Sequence, residues 1–520
     1  MSASFLKIGG ELVEDALLTL VEVTQKLNHH WWCKVECRQT EDRRMPVENW
    51  LGQGLQIVTF QENGAQNVMF DGLVLEVEFE YEIFGSYKFT LTGVTRSYKL
   101  DVTPQEAYFR RKNLAEVAQE LTADDGLVAR VNCRNQITRN YVQWGESDFD
   151  FLTRLADDHD AWIRPTSDGI EISDSFQAAA KLEWRTEGSL LSFRVKGALG
   201  QSSFQGTHFD PKTMKSSTFR QVRGDPEFYD SSALMVAAVK SASRANLPSG
   251  ALSMDSRSPT ASEYEARLKK ESIRAIGSKI VAYGVSQNQD VTAGNQVQVQ
   301  GLSDAKGTYG VFEVVHRWTQ QGYRNEFWCT PWKNFMPREA PRPRTMPGVV
   351  FARVVDHNDP RKMGRIKVRY DWQEQSETAW ARMIAPHAGS GRGFMFMPEI
   401  GDEVLVAFEH GDPERPIVLG SLWNGVHSAP REGFWSGDDV ACNDVKRIVT
   451  KSGHRIQFVD VPGKECMVLA TPGGQSVRMI DNCVETGGRR MVAIESPGDI
   501  FLYAEGRVHI RAKYFSREIG

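Results

Sequence analysis

Apolar and polar residues alternate along most of this chain, and a two-residue period predicts strands rather than helices. In the segment 68–80, Leu73, Leu75, Val77 and Phe79 alternate with a valine and three glutamates. The same period continues through the next segment, FTLTGVTRSYKL. The first hundred residues therefore predict a small antiparallel barrel or sandwich, with these four side chains on one face.

Two predicted helices interrupt the strands after residue 101. Asn113 with Glu116 three positions later is a capping-box pattern, and Ser147 with Asp150 is a second N-cap signal. Apolar residues at helical spacing follow each cap. A hairpin with its turn at 166–169 comes next. We therefore predict a compact α+β unit between two β-rich parts of the chain.

The two-residue period returns near residue 180 and continues to about residue 340. Strands are predicted at 279–285, 296–300 and 311–317. Helical insertions are predicted at 231–240 and 262–276, the second opening at Ser262 with Glu265 three positions later. The segment 337–347 carries four prolines. Because proline stiffens a chain and cannot donate to a sheet, we expect a domain boundary there.

Five or so short strands are predicted between residues 348 and 430, with Gly-Asp turns separating the last of them. Their alternating apolar residues are Val350, Ala352, Val354, Ile366, Val368, Tyr370, Val404, Val406, Phe408, Ile417 and Leu419. This number of strands in about 80 residues is typical of an OB-type barrel.

An eight-residue repeat marks the tail of the chain. Val492, Ile494 and Ser496 are followed by Ile500, Leu502 and Ala504, and then by Val508, Ile510 and Ala512. Each octad predicts a five-residue strand with one apolar face, followed by a glycine turn. One interpretation is a β-meander packed on its own domain. The other is a ladder completed by identical chains, since three chains wound together would bury every apolar edge. The tail has little other apolar material to cover the ladder, which favours the trimer.

Candidate catalytic chemistry is sparse. Asp402, Glu403, Glu409 and His410 lie on predicted Gly-Asp turns and on the exposed face of a strand, where charges are solvated. His509 lies between two apolar residues of the repeat and so on its outward side. The chain has no HExxH or GxSxG motif. We therefore predict no catalytic, cofactor or metal site, and no enzyme.

Composition limits the class of protein. With 520 residues the chain has room for three or four domains, and 41% hydrophobic residues exclude wholesale disorder. Lys plus Arg number 62 against 67 for Asp plus Glu, so a nucleic-acid surface over the whole chain is excluded. Glu11, Glu14 and Asp15 interrupt the apolar run that a signal peptide needs, and seven scattered cysteines give no disulfide framework. We expect folding in a reducing cytoplasm.

Several stretches resemble, in order, the VgrG-type spike proteins of contractile injection systems, which are similar to the fused hub and spike of phage tails. RNYVQWGESDFDFLTRLADDHDAWIRPTSDGIEI carries the most specific match. The other matching stretches are VTAGNQVQV, YGVFEVVH, YRNEF, MGRIKVRYDW, GDEVLVAFEHGDPERPIVLGSLWNG and TKSGHRIQFVD. Together they cover nearly the whole chain beyond its first hundred residues.

This resemblance implies a mainly β fold with a smaller α+β part: two hub barrels, an OB-fold collar and an intertwined trimeric β-prism needle. The expected domains are 1–100, first hub barrel; 101–180, α+β insertion; 181–345, second hub barrel with helical insertions; 346–430, OB fold; and 431–520, linker and prism. The expected needle core is Val492, Ile494, Ile500, Leu502, Ala504, Val508, Ile510 and Ala512.

The resemblance also implies partners. A homotrimer would present six barrels to a hexameric inner-tube ring, contact other baseplate proteins and carry a PAAR-type tip protein on Tyr514 and Phe515. It would pierce a target membrane rather than bind it, bind no nucleic acid, and leave the cytoplasm with the particle. Only about 20 residues, 428–449, lie where some relatives carry a lysozyme domain, and the chain stops at Gly520. Effectors are therefore expected on separate chains.

Two other functions stay open. A phage tail hub would have the same physical properties as a secretion spike, and the two differ in their genomic neighbours. An OB-fold binder of nucleic acid or oligosaccharide would use aromatic side chains interleaved with cations on one barrel face. Trp372, Trp380, Phe394 and Phe396 are the candidates for that face, although packing in the barrel core or between subunits explains them equally well.

Overall fold

The structure is a computed structural model of the chain. It describes residues 4–13, 17–40, 47–60, 66–81, 86–134, 137–184, 189–200, 203–210, 213–222, 245, 250–251, 260–331, 345–372, 377–430, 444–480, 483–488, 492, 498–501 and 503–514. Two compact units are present, Met1–Leu422 and Trp423–Gly520.

Seven strands make up the first part of the chain, as its alternating pattern predicts. They are β1 (Ser4–Ile8), β2 (Glu11–Leu12), β3 (Leu17–Lys26), β4 (Trp32–Thr40), β5 (Gly54–Phe60), β6 (Gln66–Tyr81) and β7 (Ser86–Val94). The neighbouring order is β3-β4-β7-β6-β5-β1-β2. The side chains of Val23, Val35, Leu55 and Phe89 are fully buried and belong to one core.

Strand β6 departs from simple alternation. The predicted single face from Leu73 to Phe79 is wrong at Leu75, which is exposed, whereas Val74 is buried. The pairing of β6 with β7 shifts between Val74 and Glu76. A β-bulge of this kind inserts one residue, so the core-facing positions are even-numbered before it and odd-numbered after it.

The predicted α+β unit is present. Its elements are β8 (Gln105–Lys112), α1 (Leu114–Ala123), β9 (Val128–Asn132), β10 (Arg139–Glu146), α2 (Asp148–Asp158), β11 (Trp162–Thr166) and β12 (Gly169–Ser173). Asn113 and Glu116 form the predicted capping box, and the Ser147 hydroxyl accepts from the N–H of Asp150. Strands β11 and β12 form the predicted hairpin. Both helix starts are therefore confirmed.

The second β-rich part contains β13 (Gln177–Glu183), β14 (Leu190–Gly197), β15 (Ser203–Asp210), β16 (Lys215–Val222), β17 (Gly250–Ala251), α3 (Ala261–Gly277), β18 (Ile280–Ser286), β19 (Asn295–Gln300), β20 (Gly307–Thr319) and β21 (Gly322–Thr330). The predicted helix start at Ser262 is wrong, because the Thr260 hydroxyl accepts from the N–H of Glu263 at 3.2 Å. Thr260 with Glu263 is the same kind of cap signal two residues earlier. The helix predicted at 231–240 lies outside the described residues.

Strand β20 joins the two β-rich parts. It pairs with β21 on one side and with β3 on the other, where His316 lies opposite Val23. Thirteen of the described strands therefore form one continuous sheet. The sheet carries two cores, one around β3 to β7 and the other around β13, β14 and β18 to β21.

The next strands are β22 (Val349–Asp356), β23 (Lys367–Tyr370), β24 (Arg382–Met383), β25 (Ala388–Gly389), β26 (Arg392–Gly393), β27 (Glu403–Phe408) and β28 (Pro416–Ser421). Five of them form a sheet in the order β23-β22-β27-β28-β24. Its core contains the predicted residues from β22, β23 and β27. The prediction for Ile417 and Leu419 is wrong, since Val418 between them is fully buried. The pairing of β27 with β28 shifts at Leu419, an extra residue in β28, which places Val418 opposite the buried Val406.

The second unit contains β29 (Val445–Val449), β30 (Arg455–Val459), β31 (Cys466–Ala470), β32 (Ser476–Ile480) and β33 (Cys483–Gly487). They form an antiparallel meander in chain order. Its small core is Val459, Cys466 and Val468. No strand is assigned to the residues described after 488, so the strands expected from the octad repeat stay a prediction.

Candidate assembly interface

Three of the four titratable residues singled out from the sequence, Asp402, Glu409 and His410, lie at turns, and Glu403 is the first residue of β27. The Asp402 carboxylate accepts from the N–H of Glu399 at 2.9 Å, and Glu409 pairs with Arg415 at 3.1 Å. His410 has a φ of 54° in the turn that follows β27. These contacts hold a tight connection between strands. The arrangement gives no pair of groups poised for proton transfer.

Metal-binding chemistry is equally sparse in the described part of the chain. There, no three His, Cys, Asp or Glu side chains come together as metal ligands would. His509 is exposed. None of the helices among the described residues is long and apolar enough to cross a bilayer.

The meander of the second unit has one apolar face that water reaches. Ile448 lies opposite Ile456, and Ile456 lies opposite Leu469. In the adjacent row Phe458 lies opposite Met467, which in turn lies opposite Met479. Cross-strand neighbours share a face, so these side chains form one continuous patch, hereafter the meander face.

Much of the meander face is exposed within one chain. Phe458 keeps 42% of its surface in contact with water, and Ile448, Ile456 and Leu469 keep comparable fractions. A contiguous apolar patch of this kind on a folded chain marks an interaction surface. Sequence reasoning missed it, although Ile456 and Phe458 alternate with the buried Gln457 in RIQFV.

The predicted needle residues are exposed wherever they are described. Val492, Ile500, Val508 and Ile510 each leave about half or more of their surface open to water. The alanines of the repeat, Ala504 and Ala512, are exposed as well. Ile494 and Leu502 lie outside the described residues. The structure also exposes two aromatic side chains that the octad analysis did not select, Phe501 and Tyr503.

The first unit has a further apolar surface, on its OB-type barrel. Phe394 and Phe396 are exposed, with their rings stacked at 6.4 Å. Trp372 is different, because it stacks on Tyr370 at 5.1 Å and packs 5.6 Å from Trp144. The aromatic residues proposed for a nucleic-acid face therefore do not share one environment. Trp372 belongs to the packing between the barrel and the α+β unit.

Comparison with protein families identifies the architecture. Residues 25–322 match the phage tail baseplate hub family, and residues 350–423 match the type VI secretion system/phage-baseplate injector OB domain. The first match alone spans more than half of the chain. The chain belongs to the phage tail baseplate hub family.

Curated relatives of this hub are named as spike proteins. The type VI secretion system spike protein VgrG4b of Pseudomonas aeruginosa is 26% identical over 393 residues, which is 64% of this hub and 47% of the relative. The spike protein VgrG3 of Vibrio cholerae is 32% identical over 114 residues, 20% of this hub and 11% of the relative. This hub thus spans less than half the length of these relatives.

Solved structures agree with the fold. The hub resembles a chain of a Francisella PdpA-VgrG complex with a TM-score of 0.62 at 7% identity, covering 94% of this chain and 88% of that one. It resembles the Escherichia coli c3393 protein, a type VI secretion system component described as structurally similar to the phage T4 tail proteins gp27 and gp5, with a TM-score of 0.55 at 17% identity. That likeness covers 80% of this chain and 99% of the other. The predicted fold of hub barrels followed by an OB domain is confirmed.

Proposed function

We propose that this hub is the trimeric spike of a contractile injection system, which seats an inner tube and is driven through a target envelope. Its family and its named relatives support a structural role in such an assembly. The two cores of the continuous sheet supply two barrel-like bodies in each chain. Three chains would then present six such bodies, which matches the symmetry of a hexameric ring.

The exposed meander face carries this proposal. A chain with Ile456, Phe458 and Leu469 open to water gains free energy by burying them. Identical copies related by a closed rotation can cover the face on every chain at once, whereas an open array would not terminate. Val492, Ile500, Val508 and Ile510 of the repeat are exposed as well, so the tail adds apolar surface that identical chains would bury.

Native mass spectrometry at micromolar concentration tests the trimer. The wild-type protein should appear at three times its chain mass of 58.6 kDa. Phe458→Asp and Leu469→Asp should yield separated or aggregated chains. Leu51→Asp replaces a more exposed leucine in the first unit and should leave the trimer intact. A monomeric wild type, or face variants that assemble like the wild type, would refute the proposal.

The tip proposal concerns Tyr514 and Phe515. Tyr514 leaves 85% of its surface open to water, and Phe515 lies outside the described residues. We expect a small PAAR-type protein to cover these rings, because aromatic side chains dominate the energetics of protein interfaces. Other expected partners are the inner-tube protein, further baseplate proteins and effectors on separate chains. We expect assembly in the cytoplasm and export with the particle.

The proposed role is mechanical rather than catalytic. Purified protein should fail to clear a peptidoglycan suspension, and clearing that a single carboxylate substitution abolished would overturn this point. The tail hub of a contractile-tailed phage is the second candidate, since the hub family includes phage proteins by its name. The relatives VgrG4b and VgrG3, which are named as type VI secretion spikes, favour the first candidate.

A further inference from the structure

A cavity of about 610 Å³ opens in the α+β unit. Its walls come from the 3₁₀ turn Arg96–Asp101, the start of β8, the end of α1, the middle of β10 and the first residue of α2. A volume of this size is typical of ligand pockets. The cavity lies in the part of the chain that matches the hub family.

The charge of the cavity is strongly one-sided. Its lining includes four carboxylates, Glu106, Asp124, Asp125 and Asp148, and one ammonium group, Lys99. The Lys99 ammonium donates to the carbonyl oxygen of Asp125 at 3.1 Å. The potential inside the cavity is therefore negative, which attracts a cation.

Gln143 supplies a second, independent observation. Its side chain is wholly buried and lines the cavity. Its Nε2 donates to the carbonyl oxygen of Glu146 at 3.1 Å and to the Asp148 carboxylate at 2.7 Å. Both partners only accept, so the orientation of the amide is fixed and Oε1 is left as an acceptor. That oxygen has no hydrogen-bond partner among the residues that the structure describes, and an unsatisfied buried acceptor is costly.

The Asp148 carboxylate is also in an unfavourable environment. Burial, together with the negative charges of Asp125 and Asp124, raises the pKa of Asp148, and the hydrogen bond from Gln143 opposes this rise. A positive group in the cavity would offset the repulsion between these carboxylates.

The remaining walls are aliphatic. Leu100, Val102, Ala107 and Leu121 line the same cavity. A lysine or arginine side chain also has an apolar part and a polar part. Its methylene stem packs on apolar surface, and its charged head donates hydrogen bonds to acceptors. A bare metal ion fits less well, because the described carboxylates do not converge into a set of three ligands.

We propose that this cavity binds a lysine or arginine side chain presented by an extended segment of another protein. The charged head would donate to Gln143 Oε1 and to the Asp148 carboxylate, and Asp124 and Asp125 would contribute long-range attraction. The stem would lie against Leu121 and Val102. The site thus provides the hub with a docking point for a basic partner, independent of the trimer proposed above.

A pair of matched ligands tests the charge requirement. N-acetyl-Gly-Arg-Gly-amide should bind the full-length protein in saturation-transfer difference NMR, and the same peptide with citrulline in place of arginine should not. Citrulline has nearly the same shape but no charge. A lysine peptide should bind as well, and binding should weaken as sodium chloride is raised.

A set of variants tests the location. Asp124→Asn combined with Asp125→Asn should weaken arginine-peptide binding roughly tenfold, since two attractive charges are lost. Glu120→Gln removes an acid from the exposed side of α1, where it pairs with Lys112 outside the cavity, and should leave binding unchanged. Gln143→Met should also weaken binding, and a circular dichroism spectrum would confirm that the variant folds.

Three results would overturn the proposal. These are equal binding of the arginine and citrulline peptides, equal binding by wild type and the Asp124/Asp125 double variant, and no binding of either basic peptide at millimolar concentration. Binding of Ca²⁺ or spermidine without binding of the basic peptides would likewise reject a protein side chain as the occupant.

Discussion

The Arg154 guanidinium forms two hydrogen bonds with the Glu146 carboxylate, at 2.6 and 3.2 Å, and both side chains are almost wholly withdrawn from water. Arg154 Nη2 also donates to the carbonyl oxygen of Val142 at 3.0 Å. The pair joins α2 to β10. A buried pair of this kind contributes little by comparison with an apolar pair, but losing one partner leaves a buried charge unpaired.

Arg154→Met should therefore destabilise the first unit by about 3–5 kcal/mol. The double variant Arg154→Met with Glu146→Leu should recover most of that loss. As a control, Arg130→Met breaks the exposed pair with Asp168 and should cost far less, because solvent screens an exposed ion pair. Urea unfolding monitored by tryptophan fluorescence measures all three. Equal losses at the buried and exposed pairs would contradict this prediction.

Glu414 makes stability depend on pH. Burial raises the pKa of Glu414 to about 7, assisted by Asp412 and Asp158 and opposed by Arg139 and Arg154. A folded-state pKa above the unfolded value means that the folded protein binds the extra proton, so this contribution to stability falls as pH rises from about 4.5 to about 7. The loss is at most about 3 kcal/mol, and the surface that Glu414 keeps exposed reduces it.

Glu414→Gln should consequently be more stable than the wild type at pH 8 and nearly equal to it at pH 4.5. Thermal melting of both proteins across this range measures the difference at each pH. The variant must be compared with the wild type at each pH because His316 adds a pH dependence of its own. Burial lowers the pKa of His316 to about 3, so the free energy of unfolding decreases as pH falls below about 6.5 in both proteins alike. A wild-type-minus-variant difference that does not change with pH would count against the assignment.

Buried polar side chains of β18, β20 and β21 form a chain of hydrogen bonds. The Tyr323 hydroxyl lies 2.8 Å from His316 Nδ1 and accepts from Asn325 Nδ2 at 2.8 Å. Asn325 Oδ1 accepts from the Ser286 hydroxyl at 2.9 Å. Tyr323→Phe leaves His316 Nδ1 without its partner and removes one of the two hydrogen bonds of Asn325 Nδ2, which also donates to the carbonyl oxygen of Asn288 at 2.7 Å. An unsatisfied buried group costs about 1–3 kcal/mol.

The melting temperature of Tyr323→Phe should fall clearly below that of Tyr283→Phe. Tyr283 is a suitable control because its hydroxyl also donates to a side chain, Glu326, but at a less buried position. Differential scanning calorimetry provides the comparison. Equal shifts in the two variants would show that the buried chain adds nothing beyond an ordinary surface hydrogen bond.

The octad residues give a prediction for the tail. Ile500→Asp combined with Ile510→Asp should separate or aggregate the chains, because charged groups would enter the ladder that we propose to be shared. Arg507→Asp replaces an exposed polar residue of the same segment and should retain assembly. Size-exclusion chromatography with light scattering distinguishes the results. Assembly unaffected by the isoleucine substitutions would place the trimer contacts elsewhere.

Local signals in the sequence predicted local structure well. The caps at Asn113 and Ser147 were found because each is encoded within four residues. The start of α3 was misplaced because Thr260 and Ser262 both offer a hydroxyl three residues before a glutamate. Nothing nearby in sequence distinguishes the two.

Features that depend on contacts between distant parts of the chain could not be predicted from the periodicity of the sequence. The bulge after Val74 depends on where β7 pairs, and the burial of Val418 depends on the register of β27. The pairing of Val23 with His316 joins residues almost three hundred positions apart. Gln143 gave no signal at all, since its significance comes from Asp148 and from acids on a different helix.

The pairing of β3 with β20 also has a consequence during synthesis. When β7 leaves the ribosome the first seven strands can associate, but β3 then has an unpaired edge until β20 emerges. More than two hundred residues separate Val94 from Gly307. At about 5–20 residues per second, translation takes roughly 10–40 s to cover that distance. The nascent hub therefore spends this interval with the edge of β3 unpaired, and a chaperone that binds this edge would prevent it from pairing with other chains.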